Sequence, residues 1–167
     1  MKEATDTATA VLQQATGLEK EGRRFYLRAA RVTQDAKGKE MFGILAEDEK
    51  KHFLLIKREY NSLLSKGMWA GSPEIKPVTA DLGKSIFPGA REELEKSVTS
   101  RSTDWDALLF GLDVETRCFN FYREAASQTG DALGKQMFEF LASQEESHFN
   151  MLMMRYESLF GPVSWRY

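Results

Sequence analysis

Apolar residues recur at steps of three and four from early in the chain. Val11, Ala15, Leu18, Gly22, Phe25 and Ala29 lay one stripe along a 3.6-residue period, which predicts a helix over 5–33. Asp35 is placed to cap a second helix running to about Leu64, with a stripe of Met41, Ile44, Leu45, Asp48, His52, Leu55 and Leu63. The pattern then breaks. Residues 65–103 hold three of the four prolines and several glycines, and read as a long connection in which the stretch after Pro88 could form a short helix. Ser102 or Thr103 can cap a third helix over about 104–128, carrying Leu108, Leu112, Phe119, Tyr122 and Ala126. Asp131 can cap a fourth, to about Phe160. No segment alternates with the period of a strand.

The two halves repeat. A shift of 96 lays 17–64 on 113–160 without a gap, and roughly 20 of the 48 aligned positions are identical. The matches include Glu19/Glu115, Phe25/Phe121, Tyr26/Tyr122, Met41/Met137, Phe42/Phe138, Leu45/Leu141, Glu49/Glu145 and His52/His148. The pattern predicts an all-α chain: two duplicated antiparallel helical hairpins, about 5–64 and 104–160, joined by a crossover over about 65–103. Two such hairpins bury their apolar faces as a four-helix bundle, a single domain over 1–167.

The only two histidines of the chain stand in the same word, Glu49-x-x-His52 and Glu145-x-x-His148. Three residues of helix turn through about 300° and rise about 4.5 Å, so Glu and His project from nearly one face. Glu19 and Glu49 are equidistant from the turn at 33–35, and Glu115 and Glu145 from the turn at 129–131. Residues equidistant from the turn of a helical hairpin lie at one height. Each hairpin therefore presents two carboxylates and one imidazole near its middle. Together they give four Glu and two His, a donor set suited to two metal ions in a bundle core. Four carboxylates there would repel and lose hydration, and two divalent cations cancel their charge. Oxygen-rich ligation with two imidazoles suits iron or manganese, and zinc can occupy the same ligands.

Tyr26 and Tyr122 follow Glu19 and Glu115 by seven residues, two turns along the same face. A buried phenol needs a hydrogen-bond partner, and a ligand carboxylate of another helix would serve; plain core packing is the alternative. Asp48 and Gln144, at equivalent positions, are placed to hydrogen-bond the free ring nitrogens of histidines across the bundle.

The balance of 23 basic and 25 acidic residues, net −2, gives no bulk charge for nucleic acid or a membrane surface. One cysteine, Cys118, excludes a disulfide framework or a cysteine-built cluster within these residues. No apolar run is long enough to span a bilayer and the first residues lack the apolar stretch of a secretory signal, so a cytoplasmic protein is expected.

These residues make the chain resemble the rubrerythrin-type members of the ferritin-like superfamily. The resemblance is carried by Glu19-x6-Tyr26, Glu49-x-x-His52, Glu115-x6-Tyr122 and Glu145-x-x-His148, and by the stretches LEKEGRRFY and AEDEKKHF. It covers both hairpins and the crossover. It implies two irons bridged by Glu49 and Glu145, with Glu19 and Glu115 as terminal carboxylates and one histidine on each iron. It implies an oxidoreductase that reduces peroxide or dioxygen, in oxidative stress defence, and a homodimer. The alternatives are a ferroxidase or iron-binding protein in iron homeostasis, and a bundle with a non-catalytic metal site. Two departures stand out. These residues carry no paired CxxC motifs of a rubredoxin domain, so the electron donor is expected to be a separate protein such as a rubredoxin or a reductase. Many family members also place an extra Glu one turn beyond the third-helix ligand; here that position is Cys118, and its repeat partner is Gly22.

Overall fold

The computed structural model of the chain describes residues 2–71 and 104–161, with side chains from residue 7 onward. Four helices account for them: α1 (Lys2–Val32), α2 (Ala36–Lys66), α3 (Asp104–Gln128) and α4 (Ala132–Phe160). There is no strand among the described residues. The third and fourth helices have the bounds expected from the sequence, α1 begins three residues earlier, and α2 runs two residues further. The short helix after Pro88 and the cap at Ser102 or Thr103 lie outside the described residues.

The turns are made by the residues that signalled them. The Asp35 carboxylate accepts from the backbone N–H of Gly38 at the head of α2. Asp131 accepts from Leu133 and Gly134 at 2.9 and 3.1 Å at the head of α4. Each satisfies amide donors that a helix start leaves open. Gly67 closes α2 in the left-handed conformation, φ 67°, returning its N–H to the Leu63 carbonyl at 3.0 Å. The chain then folds back toward α4. The Ala70 N–H donates to the buried Glu59 carboxylate at 2.7 Å, and Trp69 packs edge-on against Phe138. Gly134 makes that possible, since a Cβ there would sit 2.5 Å from the Trp69 ring.

α1 packs along α2 and α3 along α4, and the hairpins meet through α1–α3 and α2–α4. The core has two apolar clusters. One holds Leu12, Ala15, Ile56, Tyr122, Met137, Phe138 and Leu141; the other holds Tyr26, Ala29, Met41, Phe42, Leu45, Leu108 and Leu152. Repeat partners fall in opposite clusters: Tyr26, Met41, Phe42 and Leu45 in one, Tyr122, Met137, Phe138 and Leu141 in the other. Every helix thus runs from one apolar cluster to the other and crosses a polar layer between them. That layer is the six-residue set. No helix among the described residues is long and apolar enough to cross a membrane.

The polar layer also explains where the expected stripes were displaced. On α1 the buried positions are Leu12, Ala15, Glu19, Gly22, Phe25, Tyr26 and Ala29, while Val11 and Leu18 are only half-buried. The face centres on Glu19, so the stripe is rotated toward it. On α2, Ile44 is exposed. It lies five residues before Glu49, turned about 140° away from the inward direction that Glu49 sets.

Candidate metal centre

Glu19 comes from α1, Glu49 and His52 from α2, Glu115 from α3, and Glu145 and His148 from α4. All six are at most 4% exposed. Carboxylates are rarely buried this far without a counter-charge. The six side chains converge in two overlapping groups: Glu19, Glu49, His52 and Glu145, and Glu49, Glu115, Glu145 and His148. Within each group the four donor atoms lie within 4.8 Å of one another.

His52 Nδ1 stands 3.4 Å from Glu19 Oε2, 3.7 Å from Glu49 Oε2 and 3.3 Å from Glu145 Oε1. His148 Nδ1 stands 3.5 Å from Glu115 Oε2, 3.4 Å from Glu49 Oε1 and 3.8 Å from Glu145 Oε2. Glu49 and Glu145 each direct one oxygen toward each group, which is the disposition of a bridging carboxylate. Glu19 and Glu115 each face a single group. The two imidazoles lie side by side, with ring centroids 5.4 Å apart.

Six of the atoms that face these two points have no hydrogen-bond partner among the described residues. They are Glu19 Oε2, His52 Nδ1, Glu115 Oε2, both Glu145 oxygens and His148 Nδ1, all of them buried. Buried polar atoms are ordinarily satisfied, and six orphans converging on two points fit two cations. Hard oxygen donors with one imidazole per point suit a divalent first-row ion.

The outward oxygens of the terminal carboxylates are held across the bundle. The Tyr26 hydroxyl donates to Glu115 Oε1, and the Tyr122 hydroxyl donates to Glu19 Oε1. Both tyrosines are fully buried. Each hairpin therefore orients the terminal ligand of the other. Behind His148, Nε2 lies 3.7 Å from Asp48 Oδ2. Gln144, the repeat partner of Asp48, is half-buried and lines a groove with Asp48 and His52 on the α2–α4 side.

Without cations, protons compete for the same donors. Burial, then the neighbouring Glu49, pushes the Glu19 carboxyl well above the usual carboxylate range. Burial and Glu145 do the same to Glu115. Burial also opposes ionisation of Glu49 and Glu145, but the groups beside them, Glu19 for Glu49 and the two imidazoles for both, hold the two below that range. Burial favours neutral imidazoles, yet the surrounding carboxylates raise both histidines. Burial and mutual repulsion thus disfavour charge on Glu19 and Glu115, while the surrounding carboxylates favour charge on the two imidazoles.

The sequence did not point to what lies on the other side. His52 lines the α2–α4 groove, and the opposite side, between α1 and α3, carries a groove of about 660 Å³. Its floor includes Gly22 and Cys118, the equivalent positions one turn beyond Glu19 and Glu115. A Cβ on Gly22 would lie 3.4 Å from the Glu49 carboxylate carbon, so only backbone separates groove and centre there. Cys118 is buried and unbridged, and burial followed by the nearby Glu145 and Glu115 pushes its thiol up. The one signal available in the sequence was two small residues at matched positions.

Comparison with known proteins bears on this geometry. The family model described as Rubrerythrin matches residues 10–156. Among solved structures, a hypothetical protein from Pyrococcus furiosus is similar with a TM-score of 0.65 and 24% identity, covering 95% of this chain and 93% of that one. A dodecameric thioferritin, the bacterioferritin-related protein from Bacteroides fragilis, is similar with a TM-score of 0.63 and 18% identity, covering 93% and 91%. At those identities the likeness speaks to the fold alone, a ferritin-like four-helix bundle. No curated protein matches the sequence.

Proposed function

This chain belongs to the rubrerythrin family, and from that premise we propose that it is a di-iron oxidoreductase that reduces peroxide or dioxygen. The observation that carries the reading is the pair of four-donor groups sharing Glu49 and Glu145. Glu19, Glu49, Glu145 and His52 would hold one ion, and Glu115, Glu49, Glu145 and His148 the other. A bound iron pair supplies two electrons, one per ion, to an O–O bond.

The protein's own groups do the rest. Glu49 and Glu145 hold the two positions close together, and the four carboxylates offset cationic charge that rises on oxidation. Tyr26 and Tyr122 keep Glu115 and Glu19 in their ligating orientation by donating to the oxygens that face away. The apolar clusters above and below exclude water along the bundle axis. On the α1–α3 side Gly22 presents no side chain between the groove and Glu49.

Re-reduction belongs, in this reading, to a one-electron donor such as a rubredoxin or a reductase, since the one cysteine of these residues cannot build a rubredoxin iron site. A cytoplasmic homodimer completes the proposal. The test is to reduce the iron-loaded protein anaerobically and add hydrogen peroxide in a stopped-flow spectrometer. Rapid oxidation of both irons, repeated when an electron donor is supplied, is expected. Oxidation by dioxygen with no response to peroxide would replace this reading by ferroxidase or iron-handling chemistry.

A further inference from the structure

The groove between α1 and α3 is far larger than a two-oxygen substrate requires. Its volume is about 660 Å³. A small solvent molecule takes about 30 Å³, so the excess is about an order of magnitude. The volume falls in the range of sites that hold organic ligands. The apolar part of the walls comes from Leu18 and Phe25 on α1 and Phe110, Val114 and Phe121 on α3.

The rim is basic. Arg24 and Arg28, four residues apart on α1, line the groove and are exposed. Neither has an ion-pair partner among the described residues. Arg117 also lines it but is engaged with Asp113 at 3.0 Å. Glu21 is the one acidic residue on the lining. An apolar trough with two uncommitted guanidiniums at its edge is complementary to an apolar body with an anionic head, and guanidinium is the side chain best matched to a carboxylate. A second copy docked about a two-fold axis through the groove would add two more arginines to the same rim, against the charge already there.

The floor of the groove includes Gly22, where an added Cβ would lie 3.4 Å from the Glu49 carboxylate carbon. We propose that the α1–α3 groove binds an amphipathic organic anion, a carboxylate carrying a hydrocarbon chain. The peroxide taken by the adjacent centre is then the organic hydroperoxide of such an anion. The second half rests on the peroxide-reducing reading above. The reaction would be ROOH + 2 e⁻ + 2 H⁺ → ROH + H₂O. The O–O bond breaks, one oxygen stays with the organic alcohol and the other leaves as water. The electrons come from the reduced iron pair, restored by the one-electron donor protein.

The binding test uses zinc-loaded protein, which is redox-silent, and isothermal calorimetry with decanoate, decanol and acetate. Saturable binding of one decanoate per chain is expected, with decanol weaker and acetate undetected. Arg24→Ser with Arg28→Ser should weaken decanoate about tenfold, a loss of the size of one charge-assisted contact. The charge-matched Lys50→Ser with Lys57→Ser on α2 should leave it unchanged. Absence of saturable binding, or binding indifferent to the arginine pair, would overturn the site. Affinity that falls as protein concentration rises would assign the groove to a second copy instead. Stopped-flow oxidation of the reduced iron form then separates the two claims. A faster response to a long-chain carboxylate hydroperoxide than to hydrogen peroxide, slowed in the arginine variant, is expected. Response to hydrogen peroxide without decanoate binding would sink this inference and leave the peroxidase reading standing. Decanoate binding with no response to either peroxide would leave the anion site and remove the peroxide chemistry.

Discussion

The two hairpins present the same ligands in different surroundings. Glu19, Glu49 and His52 in the first have their counterparts in Glu115, Glu145 and His148, and the tyrosines are exchanged symmetrically. Around them the copies part. Gly22 faces the groove in the first hairpin and Cys118 in the second. Asp48 backs His148 at 3.7 Å, whereas its counterpart Gln144 is a neutral amide. Arg24 and Arg28 on α1 correspond to Asn120 and Glu124 on α3. A chain that keeps its ligands paired and lets their neighbours diverge holds two metal positions of one kind in unequal environments.

The largest effect should separate shared from unshared ligands. Glu145→Gln or Glu49→Gln removes a donor from both groups. Loss of a merely supporting partner weakens metal binding about 10–100-fold; these variants should exceed that at both positions, read as metal content after dialysis. Glu19→Gln or Glu115→Gln should empty only one position. Equal loss from all four variants would break the distinction.

Acid should come next. Glu19, Glu115, His52 and His148 all have raised values, so at each of them a proton competes with a cation for the donor. Loading should therefore release up to four protons and weaken as pH falls, about tenfold per pH unit for each proton displaced. The sign for stability without metal is opposite. Groups raised on folding stabilise below their unfolded values and lose that contribution as pH rises. The melting temperature of the metal-free form should accordingly fall as pH climbs above the ordinary carboxyl value of 4.5 and past the histidine value of 6.5. The loaded form should not follow it. Calorimetry in buffers of different ionisation enthalpy counts the protons.

The tyrosines should be interchangeable. Tyr26→Phe and Tyr122→Phe each leave a buried carboxyl oxygen without its donor, at a cost of about 2 kcal/mol in urea unfolding. A large difference between the two would show that the symmetry of the exchange is only geometric. The smallest effect should come from the unequal pair. Asp48→Asn should weaken the His148 position about tenfold by removing the carboxylate behind the ring, while Gln144→Ala should do less at the His52 position. Site-resolved loading followed by the histidine NMR signals distinguishes them.

Most of the centre was legible because it is encoded twice. Glu-x-x-His is a weak word alone, but the 96-residue repeat and the equal distances of Glu19 and Glu49 from a capped turn brought six residues to one level. The helix ends were legible through Asp35 and Asp131, whose carboxylates accept from the first amides of α2 and α4. The phase of each buried face was less legible. Hydrophobicity alone placed Ile44 inward, but the buried glutamates, not the apolar residues, set the inward direction. Nor could one-dimensional spacing reveal the α1–α3 groove, which needs α1 and α3 side by side. The contact of Trp69 with Gly134 was invisible for the same reason, since it joins the end of one hairpin to the second helix of the other.

The central claim is a two-metal centre with two shared carboxylates. Its most direct test is anaerobic titration of the metal-free folded chain with ferrous ion, followed by Mössbauer spectroscopy after oxidation. The account predicts two irons per chain and a diamagnetic ground state, the sign of two ferric ions coupled through shared ligands. One iron per chain, or two that remain magnetically independent, would contradict it.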